Sequence, residues 1–211
     1  MAANYPNSLV YVVDDDAAVR DSLNYFILST GQAVKCFETA EEFLDNYNAE
    51  HPGCLVLDVR MPGMSGIDLQ QELNKRQITI PIIFISGHAE IPDSAKAFRA
   101  GAVDFLVKPF DNALLMERID EAICKDITDR KHQLEKCELQ RRIDRLTARE
   151  KEVLHLLVGN HSNKEVAKIL AISHRTIDVH RARIMEKMEA DNLTELLFMV
   201  MQTDGVSRNL H

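Results

Sequence analysis

Five short, almost wholly apolar runs mark out the first 120 residues: Leu9–Val13, Val34–Phe37, Cys54–Leu57, Ile82–Ile85 and Phe105–Val107. A strand with one wet face alternates apolar and polar residues, whereas continuous runs of this length are the pattern of strands covered on both faces. Between them lie segments whose apolar residues recur three and four apart. These are Val19, Leu23, Phe26 and Ile27, then Ile67, Leu69 and Leu73, then Ala95, Phe98 and Ala102. Each connection is long enough for a crossover helix, so the strands are expected to be parallel with right-handed connections. The expected fold class is α/β, a doubly wound five-stranded parallel sheet, in which ligands bind outside the carboxyl ends of the strands.

The rest of the chain reads as helices. From Asn112 to about Asp144 there is no Gly or Pro, and Ile119, Ile123 and Ile127 form a stripe that Leu134, Leu139 and Ile143 continue loosely. The heptad is too imperfect to specify a coiled coil. Thr147-Ala148-Arg149-Glu150 and Ser162-Asn163-Lys164-Glu165 both fit the capping box, so a helix starts at each. Gly159-Asn160 ends the first, and Ile172-Ser173 makes the next break, with Ser173 capping a helix from His174 to about Met188. Asp191 or Asn192 starts a last helix running to Met201. Short helices followed by a longer basic one match a helix-turn-helix. The expected division is residues 1–122, a helical linker over 123–143, and an all-α domain over 144–211.

Charge is unevenly spread. Residues 1–125 carry 10 basic against 19 acidic side chains, while 141–187 carry 11 against 6. An acidic front with a basic patch behind it suggests a second half that meets a polyanion. Cysteines at 36, 54, 124 and 137 form no C-x-x-C pair and no metal spacing, which points to free thiols in a reducing compartment. Met1–Ser8 has no basic flank or apolar core of a secretory signal, and the run Leu196–Met201 is too short to cross a bilayer. A cytoplasmic protein with no membrane contact is expected.

Polar residues follow the apolar runs at chosen places. Asp14 and Asp15 follow Val13, Asp58 follows Leu57, Ser86 follows Ile85, and Lys108 follows Val107. In a parallel sheet these side chains meet in one crevice. Three carboxylates there would repel one another unless a cation neutralised them, and an all-oxygen ligand set suits Mg²⁺. A lysine and a hydroxyl beside it would take further phosphoryl oxygens. The chemistry implied is in-line phosphoryl transfer to a carboxylate.

V-V-D-D-D at 12–16, L-V-L-D-V-R-M-P-G-M-S-G at 55–66, F-I-S-G-H at 84–88 and G-A-V-D-F-L-V-K-P-F at 101–110 resemble bacterial two-component receiver domains. That resemblance implies Asp58 as phosphoacceptor, with Asp14, Asp15 and the Arg60 carbonyl completing a Mg²⁺ site. It also implies that Lys108 pairs with the acyl phosphate, that the Ser86 hydroxyl swings toward it, and that Phe105 is a switch aromatic following Ser86. The Lys108–Pro109 bond would be cis. Asp14-x-Asp16 also resembles haloacid-dehalogenase-type phosphatases, with Asp14 as nucleophile and Asp16 as general acid. That reading leaves Ala18 where Thr or Val is preferred and the 57–66 motif unexplained.

On a wheel of 174–188, Ile177, Arg181, Ile184 and Met188 share one side, with His180 flanking. Arg175, Asp178, Val179, Ala182 and Glu186 lie opposite, with Arg183 at the edge. Ala and Val fit a face that approaches thymine methyls in a major groove, and Arg can read guanine. Lys164, Lys168, Arg181 and Lys187 are expected to contact phosphates. L-T-A-R-E-K-E-V-L at 146–154, N-K-E-V-A-K-I-L at 163–170 and R-T-I-D-V-H-R-A-R-I-M-E-K-M at 175–188 resemble the LuxR-type helix-turn-helix. Taken together, the chain is similar to NarL/FixJ response regulators, on the FixJ side, with His174 where Pro is common. This implies a DNA-binding transcription regulator, not an enzyme, phosphorylated by a sensor histidine kinase and forming a transient homodimer on duplex DNA. RNA polymerase is a further partner the resemblance allows. Two other readings stand beside it: a receiver that is never phosphorylated, and a second domain that binds RNA or protein.

Overall fold

A computed structural model of the chain describes residues 7–87 and 103–201. The part of the G-H-A-E-I-P motif after Gly87 and the expected helical pattern of Ala95, Phe98 and Ala102 lie outside the described residues. The chain divides into two compact units, residues 1–130 and 131–211.

In the first unit, β1 (Leu9–Val13), β2 (Ala33–Phe37), β3 (Gly53–Asp58), β4 (Ile82–Ser86) and β5 (Asp104–Val107) form one parallel sheet in the order β2-β1-β3-β4-β5. The chain steps to one side of β1 to make β2 and to the other to make β3, so the direction of winding reverses at β1 and β3. Helices α1 (Ala17–Ser29), α2 (Ala40–Asn46), α3 (Gly66–Lys75) and α4 (Asn112–Asp144) follow β1, β2, β3 and β5. Alternate strand residues supply two cores. Tyr11, Val13, Leu55, Leu57 and Phe84 pack with Phe37, Phe43, Leu69 and Leu73; Val10, Val12, Val56, Ile83 and Ile85 pack with Leu23, Ile27, Leu115, Ile119 and Ile123. The expectation of two-sided burial holds for β1, β3 and β4. It fails for β2 and β5, which alternate between covered and exposed residues or are half-buried, because each lies at an edge of the described sheet.

The second unit holds the end of α4 with α5 (Ala148–Val158), α6 (Asn163–Ile169), α7 (His174–Met188) and α8 (Leu193–Met201). Thr147 and Ser162 make the two reciprocal capping boxes with Glu150 and Glu165, and Ser173 caps α7. Ile143, Leu146, Val153, Leu154, Leu157, Val166, Ile177, Ile184, Met188 and Leu196 form its core. The tight α6–α7 connection turns through Ala171 at a φ of 53°.

Candidate functional site

Register decides what meets at the winding reversal. Val13 pairs with Leu57, so Asp14 emerges beside Asp58; Asp58 pairs with Ile85, and Ser86 with Val107, which places Ser86 and Lys108 one step further along. The Lys108 N–H donates to the Ser86 carbonyl at 2.7 Å. The Lys108–Pro109 peptide is cis, as the resemblance implied. Gly66 lets α3 start against the strand end: a Cβ there would stand 2.2 Å from the Asp58 carbonyl oxygen.

Asp14 and Asp58 are 1% and 6% exposed, and Lys108 reaches both. Its Nζ donates to Asp14 Oδ2 at 2.6 Å and to Asp58 Oδ1 at 2.7 Å. The remaining oxygens are also held, Asp58 Oδ2 by the Arg60 N–H at 2.7 Å and Asp14 Oδ1 by the Asp16 N–H at 3.0 Å. Burial pushes the Asp14 carboxyl above its ordinary range, against the pull of the Lys108 and Asp16 hydrogen bonds. Burial alone would lower Lys108, but hydrogen bonds to Asp14 and Asp58 more than offset it, so its pKa is raised and it remains an ammonium.

Ser86 is buried at the same end of the sheet. Phe105 is half-buried on the first core, its ring 6.4 Å from that of Phe84. Asp15 is exposed, and among the described residues no three acidic, His or Cys side chains enclose a metal by themselves. The expected three-carboxylate cage is therefore not drawn together: Asp14 and Asp58 share the Lys108 ammonium, and Asp15 faces solvent. The donors still fit Mg²⁺, which needs only one or two carboxylates and keeps several waters. Asp16 takes no part: its carboxylate caps α1 by accepting from the Ala18 N–H at 2.8 Å. That removes the general acid the phosphatase reading required.

In the second unit, Ile177, Ile184 and Met188 are fully buried, while Arg175, Asp178, Ala182 and Arg183 are exposed, and so is Val179 at 45%. Lys164 and Lys168 are exposed on α6. Two expected contacts have protein partners. Lys187 Nζ donates to the buried Glu150 Oε2 at 2.7 Å, and Arg181 donates to Asn163 Oδ1 at 3.4 Å. Asn163, unremarked in the sequence, also donates to Asp178 Oδ1 at 3.0 Å, and so ties α6 to α7. His174 lies 3.2 Å from Asp178. Only the position of Asn163, one residue inside a capping box and ahead of a second helix, could have signalled it.

A doubly wound sheet with an acid pair at its winding reversal, followed by a helix-turn-helix, defines a two-module regulator. Residues 10–120 match the response regulator receiver domain, and 144–200 match the luxR family of bacterial regulatory proteins. The chain is 41% identical over 193 residues to the transcriptional regulatory protein FixJ of Bradyrhizobium diazoefficiens, covering 92% of this chain and 94% of FixJ. It is 42% identical over 190 residues to the response regulator protein TodT of Pseudomonas putida, covering 90% and 84%. The solved structure of the response regulator StyR matches at a TM-score of 0.83 and 39% identity, over 93% of this chain and 99% of that one. The chain belongs to the two-component response regulators that join a receiver domain to a LuxR-type DNA-binding domain, a family of transcription regulators. Receiver domains of this family bind Mg²⁺ at the phosphorylation site, and no described helix is long and apolar enough to cross a membrane.

Proposed function

We propose that Asp58 is the residue phosphorylated by a sensor histidine kinase, and that the phosphorylated protein pairs with a second copy on duplex DNA to control transcription. The carrying observation is Lys108, whose one ammonium bridges Asp14 and Asp58 across 94 and 50 residues of chain. In the reaction an Asp58 oxygen bonds to phosphorus while the P–N bond of the donor phosphohistidine breaks and its electron pair leaves with the imidazole. Lys108 is placed to turn from the carboxylates to the added phosphoryl oxygens, and Ser86 is near enough in register to hydrogen-bond one of them. Asp14, Asp15 and the Arg60 carbonyl are the residues to hold Mg²⁺, which supplies positive charge against the transferring group. Positioning and charge neutralisation supply most of the rate.

Phosphorylation adds charge and strong acceptors to a pocket lined by Ser86 and near Phe105, the elements that would carry the change to a pairing surface. On α7, Arg175, Asp178, Val179, Ala182 and Arg183 present the base-reading face, with Lys164, Lys168 and Arg181 on phosphates. Asp58→Asn tests the centre of this reading. A small phosphodonor with Mg²⁺ should label the wild-type chain with an acid-stable, hydroxylamine-labile phosphate, and the variant, still folded, should take none. Label that persists in the variant and vanishes in Asp14→Asn would refute it.

A further inference from the structure

We infer that Arg20 is a positioning residue for the acidic pocket, fixing the Asp14 carboxylate through the backbone of the β1–α1 loop. The inference rests on reading the pocket as a Mg²⁺-dependent phosphoacceptor. Arg20 lies on the second turn of α1, and its side chain is 17% exposed. Nη1 donates to the Asp14 carbonyl at 2.8 Å and to the Asp15 carbonyl at 2.9 Å, and its backbone N–H donates to the Asp16 carbonyl at 3.0 Å. One residue thus satisfies three successive carbonyls of the D-D-D loop. The guanidinium is held from behind by Glu38 on the neighbouring connection, 3.5 Å from Nη2.

Peptide geometry turns this clamp into control of a side chain. The Asp15 C=O and the Asp16 N–H belong to one trans peptide and point in opposite directions. Pinning the carbonyl on Arg20 therefore aims the N–H the other way, where it donates to Asp14 Oδ1 at 3.0 Å. The other Asp14 oxygen, Oδ2, is left for Lys108. Arg20 never meets the phosphoryl group, yet the direction of one Mg²⁺-binding carboxylate follows from its hydrogen bonds. Three adjacent acids have an electrostatic reason to spread apart, and the guanidinium opposes that from the carbonyl side.

The test uses the full chain and Arg20→Met, which keeps the apolar stem and removes the donors. Mg²⁺ is titrated directly, followed by amide NMR, and phosphorylation by a small phosphodonor is measured against Mg²⁺ concentration. We expect the Asp16 amide to lose the downfield shift of a carboxylate-bound N–H. The half-saturating Mg²⁺ should rise about tenfold, the size of one lost charge-assisted hydrogen bond, while the rate at saturating Mg²⁺ stays within about twofold. Arg20→Lys, with fewer and differently placed donors, should recover part of the affinity. A Met variant with lowered thermal stability but unchanged Mg²⁺ affinity and Asp16 resonance would overturn the inference and leave Arg20 a purely structural residue. Should that variant not fold, the wild-type guanidinium decides: slowed rotation of its NH₂ groups is expected, and rotation as free as that of exposed Arg141 overturns it. A wild-type chain that takes up no Mg²⁺ refutes instead the reading of the pocket itself.

Discussion

Asp14 is pulled two ways, with burial favouring its neutral form and Lys108 favouring the charged one, and burial prevails. Its folded pKa lies above the unfolded value, so the folded chain holds that proton more tightly, and stability from this group falls as pH rises through the raised value. Lys108 runs the other way. Its raised pKa gives a contribution fully present below the ordinary lysine value of 10.5 and lost only as pH climbs through the higher folded one. Lys108→Met leaves Asp14 and Asp58 facing each other without a cation. Urea unfolding at neutral pH should show a loss of about 2–4 kcal/mol, as when one partner of a buried pair is removed. The gap to wild type should narrow as pH falls, because Asp14, whose carboxyl burial already raises, then takes a proton and the repulsion disappears. A gap independent of pH would assign Lys108 a packing role alone. Asp14, Asp58, Ser86 and Lys108 were legible in the sequence because each directly follows an apolar run, whereas Arg60 and Phe105 came only with the family resemblance. Arg20 was not legible, because its work is done on carbonyls, which no side-chain pattern records.

Helix α7 shows where the sequence speaks clearly for an element and where it stays silent. Its cap, its length and its buried face follow from Ser173 and the spacing of Ile177, Ile184 and Met188, all local signals. Strands at the sheet edges were read with bounds one residue short and as covered on both faces, since apolar runs say nothing of a strand's neighbours. The partner of Lys187 lies 37 residues earlier in the chain, and one of the two partners of the buried Asp126, the Gly53 N–H at 2.9 Å, lies 73 earlier, the other being Arg130 on the next turn. Such pairs arise from tertiary packing, so a basic residue near a recognition helix looks the same whether it meets phosphate or a buried Glu. Lys187→Ala and Lys164→Ala separate the two kinds. Loss of Lys187 leaves Glu150, 2% exposed, without its cation, and thermal unfolding should show a cost of about 2–3 kcal/mol. Lys164, exposed on α6, should leave stability within about 0.5 kcal/mol and instead reduce the slope of log affinity against log salt by about one. If Lys187→Ala lowers the salt slope with stability intact, it is a phosphate contact after all.

For the molecule as a whole, the charge asymmetry sets a problem that the proposed pairing would solve. The stretch 141–187 has an excess of basic residues, but residues 1–125 have 19 acidic against 10 basic and repel a polyanion. On the proposed function a single copy would present one α7, and so one short read of a major groove, against that repulsion. Two copies joined at their receivers make the second contact intramolecular, raising affinity steeply without any new base contact. Phosphorylation need then only shift the monomer–dimer equilibrium to switch occupancy of DNA. Beryllofluoride with Mg²⁺, standing in for the phosphoryl group on Asp58, should convert monomer to dimer in sedimentation. It should lower the concentration for half-occupancy of a duplex with two half-sites by about tenfold or more, and change binding to a single half-site little. Asp58→Asn should abolish both responses. An equal gain on one half-site and on two would mean that phosphorylation improves each α7 contact separately, and pairing would lose its place in the mechanism.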